Sequence, residues 1–186
     1  MVVERRCRPM KQCGSCNLCC KVVEAPSINK AAGEWCPYAK LGPGCFVYRN
    51  LPHECKAFSC MWLEVDALGP HWKPDKARFV LHNEPDRGLV VHVDSTAPNA
   101  WRKPPYYETI KAWSKMVEAG KGQVIVVAGN VAHAIFPADD VFIGVVERED
   151  KVKLDYKLEG KTRRPRAVVT TPAGLVTEYA GKAVAA

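Results

Sequence analysis

The sequence predicts an α+β protein: a cysteine-rich, loop-dominated metal-binding module followed by a small, mostly antiparallel sheet with one main helix. Three observations carry that expectation. Eight of the nine cysteines fall between Cys13 and Cys60, in a stretch full of turn-forming residues and without apolar periodicity. Beyond Pro74 the vocabulary changes to short β-rich runs bounded by turn residues. Among those runs stands one segment with helical spacing.

Residues 1–12 read as a lead-in, with Cys7 outside the main cysteine pattern. Residues 13–73 form the module, whose cysteine-bearing part ends at 64 and is punctuated by Gly14, Asn17, Pro26, Gly33, Pro37, Gly42-Pro43-Gly44 and Pro52. So small a unit without a periodic core generally needs cross-links or metals to fold. Its aromatic residues, Trp35, Tyr38, Phe46, Tyr48, Phe58 and Trp62, are expected to wrap the cysteines in an apolar shell. Asp66 to Pro74 then reads as a connection.

Residues 74–186 are the α+β domain. Arg78 to His82 and Leu89 to Val93 are a hairpin candidate around Glu84-Pro85-Asp86-Arg87-Gly88. Pro104-Pro105 introduces Tyr106, Ile110, Trp113 and Val117 on one helical face, with Gly120 as the stop. Gln123 to Ala128, Val131 to Phe136 and Val141 to Val146 read as strands, the first two joined by Gly129-Asn130. Val152, Leu154, Tyr156 and Leu158 alternate with polar residues, as in a half-exposed strand. Lys161 to Arg166 is a basic run, expected as a solvated loop ahead of a small-residue tail.

Composition sets the chemistry of the thiols. A hydrophobic fraction of 47% and a charged fraction of 25% are ordinary for a globular protein. No apolar run approaches the roughly 20 residues of a membrane span. Met1 to Cys7 lacks the apolar stretch of a signal peptide, so a cytoplasmic setting is expected. In a reducing compartment a dense set of thiols points to metal rather than to disulfides. The net charge of +7 counts those thiols as neutral; as eight thiolates around two zinc ions they would bring it to about +3. The basic balance is therefore thin support for a nucleic-acid partner.

Cys13, Cys16 and Cys19 have C-x2-C-x2-C spacing, in which tight turns bring successive sulfurs onto one ion or cluster. Bacterial ferredoxins use this spacing at iron–sulfur clusters, whereas zinc sites more often use separated pairs. Cys20 follows directly. Neighbours in an extended chain point to opposite sides, so Cys20 is expected to serve a second site or to be a buried thiol. Cys36, Cys45, Cys55 and Cys60 could complete the first site and supply the second. The cofactor is zinc or an iron–sulfur cluster, in one or two sites.

The block Cys13-Gly14-Ser15-Cys16-Asn17-Leu18-Cys19-Cys20, with the run Cys45-Phe46-Val47-Tyr48 to Leu51-Pro52-His53-Glu54-Cys55-Lys56-Ala57-Phe58-Ser59-Cys60, resembles the CxxCxxCC family of YkgJ-like cysteine-cluster proteins. Leu51 and Lys56 stand where that family carries arginine. The resemblance implies zinc or iron chelation and little more.

No other centre of chemistry competes. His53 is a spare ligand at most, and His82 and His92 share one strand face as packed side chains rather than as ligands. His71 and His133 have no visible partner, Asp139-Asp140 begins a turn, and Glu147 to Lys151 is a charged loop. Walker-type loop, dinucleotide fingerprint and nucleophile elbow are all missing, and no acid–base pair can be named, so enzymatic activity is left undecided. The leading expectation is a cytoplasmic metal-binding protein, redox-related if it holds iron. The alternatives are a zinc-stabilised adaptor that binds protein or, through Arg163, Arg164 and Arg166, RNA, and a cluster-dependent enzyme with its pocket between the module and the sheet.

Overall fold

The computed structural model describes residues 11–40, 44–84, 88–119 and 122–185. Cys7, the Gly42-Pro43 turn, the tip of the hairpin at 85–87 and the stop at Gly120 lie outside them. The module contains single helical turns and one small ribbon: α1 (Cys19–Val22), β1 (Ala39–Lys40), β2 (Gly44–Cys45), α2 (His53–Ala57), α3 (Met61–Glu64) and α4 (Pro74–Ala77). Then come β3 (Phe79–Glu84), β4 (Gly88–Val93), α5 (Tyr106–Trp113), α6 (Lys115–Glu118), β5 (Val124–Ala128), β6 (Val131–Ile135) and β7 (Asp140–Val145). The chain ends in β8 (Lys151–Glu159), β9 (Thr162–Thr170), β10 (Val176–Ala180) and β11 (Val184–Ala185).

The α+β class stands, and the single sheet is corrected to two. One has the order β3-β4-β5-β6-β7. Its pairs are antiparallel except β4–β5, which is parallel because the segment carrying α5 crosses between them. In the other, β8 pairs with one edge of β9, and β10 and β11 share the opposite edge. The basic run is accordingly on strand β9 rather than in a loop. Among the described residues no helix is long and apolar enough to cross a membrane.

The need for a second sheet follows from the two faces of the first. Phe79, Leu81, Val91, Val93, Val124 and Val126 pack on Trp101 and Ile110, the anchors of the α5 side, where Tyr106 and Trp113 also pack. Trp62, Leu68 and Trp72 from the end of the module join this same core. Each fully buried side chain of this kind contributes about 1.5–3 kcal/mol. The opposite face is covered in two pieces. At the β3 end Val80 meets Leu18 and Val22 of the module. At the β5–β7 end Ile125, Ala134, Val141 and Ile143 meet Val152, Leu154, Ala167 and Val169 of the second sheet. Gly88 opens β4 at φ +73°, where a Cβ would lie 2.6 Å from the Gln123 carbonyl oxygen; only glycine lets the two strands approach there.

Asp140 shows why the acidic pair is structural. It begins β7 and accepts hydrogen bonds from Arg102 (2.8 Å), the Tyr107 hydroxyl (2.9 Å) and Lys111 (3.0 Å), fastening α5 to the sheet edge. Asp139 accepts the backbone N–H groups of Asp140 and Lys182.

Candidate metal centre

Local backbone bonds gather the eight cysteines. Cys16 N–H donates to the Cys13 carbonyl at 2.9 Å, closing the first C-x2-C turn, and Cys20 N–H donates to the Asn17 carbonyl at 3.0 Å, closing the turn from 17 to 20. Asn17 Nδ2 then donates to the Lys40 carbonyl, holding this segment to the ribbon. Gly33 N–H reaches the Lys21 carbonyl and Cys36 N–H reaches Cys20, laying Cys36 beside α1. The β1–β2 ribbon pairs Ala39 with Cys45. Glu54 accepts both the N–H and the hydroxyl of Ser27, which positions α2 and its Cys55. Those bonds hold the Glu54 carboxyl down at about 2.

The thiols fall into two groups by their neighbours. Cys13, Cys16, Cys19 and Cys60 line one small cavity of about 20 Å³, closed by Trp62, Leu63, Pro74 and Val80. Burial raises the Cys16 pKa, and the charges of Asp75 and Cys13 add to it, against N–H bonds from Leu18 and Asp75. Cys60 is likewise raised, first by burial and then by the charges of Cys13 and Cys16, against the N–H groups of Trp62 and Leu63. The second group is Cys20, Cys36, Cys45 and Cys55: Cys55 is raised by burial first, then by the charges of Cys20, Cys36 and Cys45.

Cys19 and Cys20 are where the groups touch. The pair opens a helical turn rather than an extended strand, so the opposite-sides premise is corrected. The Cys19 thiol donates to Cys20; this bond, ahead of burial, raises Cys19 and lowers Cys20 to about 7. Their other neighbours still differ, Cys13 and Cys16 for Cys19 against Lys30 for Cys20.

Sequence reasoning missed Lys30. Its ammonium is buried, donates to the carbonyls of Lys21 (2.7 Å) and Val23, and lies within electrostatic reach of Cys36, Cys20, Cys55 and Cys19. Burial lowers its pKa and the thiolates work against that. A cation set among thiols offsets their repulsion. Only its place in a turn-rich segment between cysteines could have hinted at this role. Also missed is Lys21, whose ammonium leaves α1 to pair with Asp94, at 2.7 Å, after β4.

Among the described residues no three cysteine, histidine or carboxylate groups already converge on a single ion position, and none of the eight described cysteines is in a disulfide. What the groups have is donor chemistry: four sulfurs each, with backbone N–H bonds to Cys16 and Cys60 that favour thiolate. Four-sulfur sets suit zinc or iron–sulfur clusters. His53 does not join them; its ring is 78% exposed and lies 3.5 Å from Glu54. The aromatic wrap is one-sided, with Trp62 buried and Phe58 half-buried, while Trp35, Tyr38 and Phe46 are exposed.

The remaining histidines lie apart from the two thiol groups. His82 and His92 do share a face of β3–β4, with ring centroids 6.3 Å apart. His133 lies against Trp101 and Phe142, and burial lowers its pKa. His71 stacks beside Trp72 and Tyr106. Comparison with family models, curated proteins and solved structures finds no match to this chain.

Proposed function

We propose that this is a metal-binding protein with two adjacent four-cysteine sites, Cys13/Cys16/Cys19/Cys60 and Cys20/Cys36/Cys45/Cys55, each for zinc or an iron–sulfur cluster. The observation that carries this reading is the sorting of the eight thiols into four and four by their neighbours. It agrees with the resemblance of Cys13 to Cys60 to the CxxCxxCC proteins.

Zinc in such sites would cross-link the module without redox chemistry, and iron–sulfur clusters would add one-electron transfer. The chain's own contribution is to bring the sulfurs together and to stabilise negative charge on them. Raised thiol pKa values mean that ligation displaces protons, so affinity should weaken as pH falls. Lys30 partly neutralises the second site, and Trp62 and Leu63 line the first, where Cys13 is exposed and Cys16, Cys19 and Cys60 are half-buried.

The RNA-binding alternative finds less support. Arg164 pairs with Glu159 at 3.1 Å, and Arg166 with Asp155 and Glu178 at 2.8 and 2.9 Å, so these side chains are committed within the second sheet.

Titration of the reduced chain with Co²⁺ tests the reading. The expected result is intense sulfur-to-cobalt absorption that saturates at about two equivalents, with proton release. Saturation at one equivalent would overturn the two-site division, and weak absorption from oxygen or nitrogen ligation alone would overturn thiolate binding.

A further inference from the structure

The β1–β2 ribbon has two faces of different chemistry. Ala39 stands directly opposite Cys45, so these two side chains share one face, the one that carries a thiol. One residue further along, Phe46 N–H donates to the Tyr38 carbonyl at 3.0 Å, which sets Tyr38 and Phe46 opposite each other on the other face. Lys40, two residues from Tyr38, falls on that face as well. Its ammonium lies 4.8 Å from the centre of the Phe46 ring.

This outer face is uncovered. Phe46 is 60% exposed and Tyr38 41%, and Lys40 is exposed with them. Beside the first thiol group, by contrast, Trp62 is buried. Two aromatic rings paired across a ribbon and left to solvent differ from the single apolar residues that any surface carries.

The charge around the rings has one sign. From Trp35 to His53 the sequence carries Lys40 and Arg49 and no acid, and Arg49 is exposed. Lys56, exposed on α2, adds a further cation. Glu34 and Glu54 bound the stretch, and Ser27 already occupies the Glu54 carboxylate.

Rings and cations together select the partner. Lysine is depleted at the centres of protein–protein interfaces, where aromatic residues collect; here a lysine lies against the ring itself. Exposed rings interleaved with cations match unpaired nucleobases on a phosphate backbone, because every base has a face that stacks and every phosphate a charge to neutralise. A duplex keeps its bases stacked inside and offers the rings nothing. We propose that the outer face of the β1–β2 ribbon binds single-stranded nucleic acid, with bases stacked on Tyr38 and Phe46 and phosphates at Lys40, Arg49 and Lys56. Neither kind of contact reads the sugar hydroxyl, so RNA and DNA strands bind alike. The surface is separate from the β9 arginines, which are paired within the second sheet. None of its side chains belongs to the two thiol groups, so it does not rest on the metal reading.

Fluorescence polarisation of labelled decauridylate and decathymidylate tests this on the full chain purified without oxygen. At about 50 mM salt both should bind with a micromolar Kd, and affinity should fall as salt rises. Phe46→Ala and Tyr38→Ala should each weaken binding about tenfold, whereas Tyr38→Phe, which keeps the ring, should bind as the wild type does. Lys40→Gln should lower the slope of log K against log salt by about 0.7. Lys153→Gln removes the same charge from an exposed position on β8 and should leave binding unaltered. Metal per chain, measured in parallel, should be the same in every variant, and a chain without metal that still binds the strands would sink only the metal reading. No binding up to about 100 µM protein, equal binding of a labelled duplex hairpin, full competition by polyglutamate, unaltered affinity in both alanine variants, or an equal loss in Lys153→Gln would each overturn the proposal.

Discussion

Cys16→Ser should abolish one metal site and leave the other loaded, and Cys60→Ser should do the same to the same site. Both sulfurs belong to the group around the small cavity walled by Trp62 and Val80. Removing a ligand outright should exceed the ~10–100-fold loss that follows from altering a group behind a ligand. Cys36→Ser and Cys55→Ser should together define the second site. Within a group the double variant Cys16→Ser/Cys60→Ser should cost little more than either single change, because the site is already lost. Across groups the losses should approach additivity, reduced only by the contact of Cys19 with Cys20. Metal content per chain and thermal melting check both patterns. Equal loss of all metal from every single variant would mean one shared site.

Asp94→Ala should be the most damaging change outside the cysteines. Asp94 is 1% exposed and receives Lys21 at 2.7 Å, Arg78 at 2.6 Å, and both the N–H and the hydroxyl of Thr96. Lys21 lies on α1 between Cys20 and the Val22 that packs on β3, so this pair ties the thiol-bearing turn to the sheet. Removing the carboxylate strands the buried ammonium, at a cost of about 3–5 kcal/mol, or a fall of about 10 °C in melting temperature for a chain of this size.

The same carboxyl has an acid signature. Burial raises its pKa, but Lys21, Thr96 and Arg78 outweigh that and hold it below its ordinary 3.8. The unfolded chain therefore takes up this proton first as pH falls. The stabilisation is complete above about pH 4 and is lost as pH drops through the lower folded value. Melting of the metal-loaded protein between pH 7 and 3 should show a gap between wild type and Asp94→Asn that closes at the acid end. A constant gap would contradict the assignment.

Much of the fold was legible where one principle decides. Ile110 is fully buried on the helix its spacing predicted, and Leu89 to Val93 form the strand that their β-rich run implied. Thr162 to Thr170 escaped notice because Arg163, Arg164 and Pro165 disguise a strand. Pro165 is tolerated there, and Arg164 and Arg166 find acids on β8 and β10 that no local pattern reveals. The parallel β4–β5 pair depends on where the segment carrying α5 delivers the chain, which is a tertiary matter. At the thiols, spacing exposed the Cys13–Cys16–Cys19 unit. It could not show that Cys60 returns to that unit, because Cys60 is the N-cap of α3 and is placed by the packing of Trp62 on the sheet core. Nor could it show that Cys19 and Cys20, adjacent on one helical turn, touch each other yet face different neighbours.

The most direct measurement is metal and acid-labile sulfide per chain, with an absorption spectrum, on protein purified without oxygen. Two filled thiolate sites predict either about two zinc ions, no sulfide and no colour, or iron with sulfide and visible charge-transfer absorption. In either case the eight thiols from Cys13 to Cys60 should be protected from thiol reagents until the metal is removed. A chain free of metal, with those thiols as reactive as in the unfolded protein, would contradict the account.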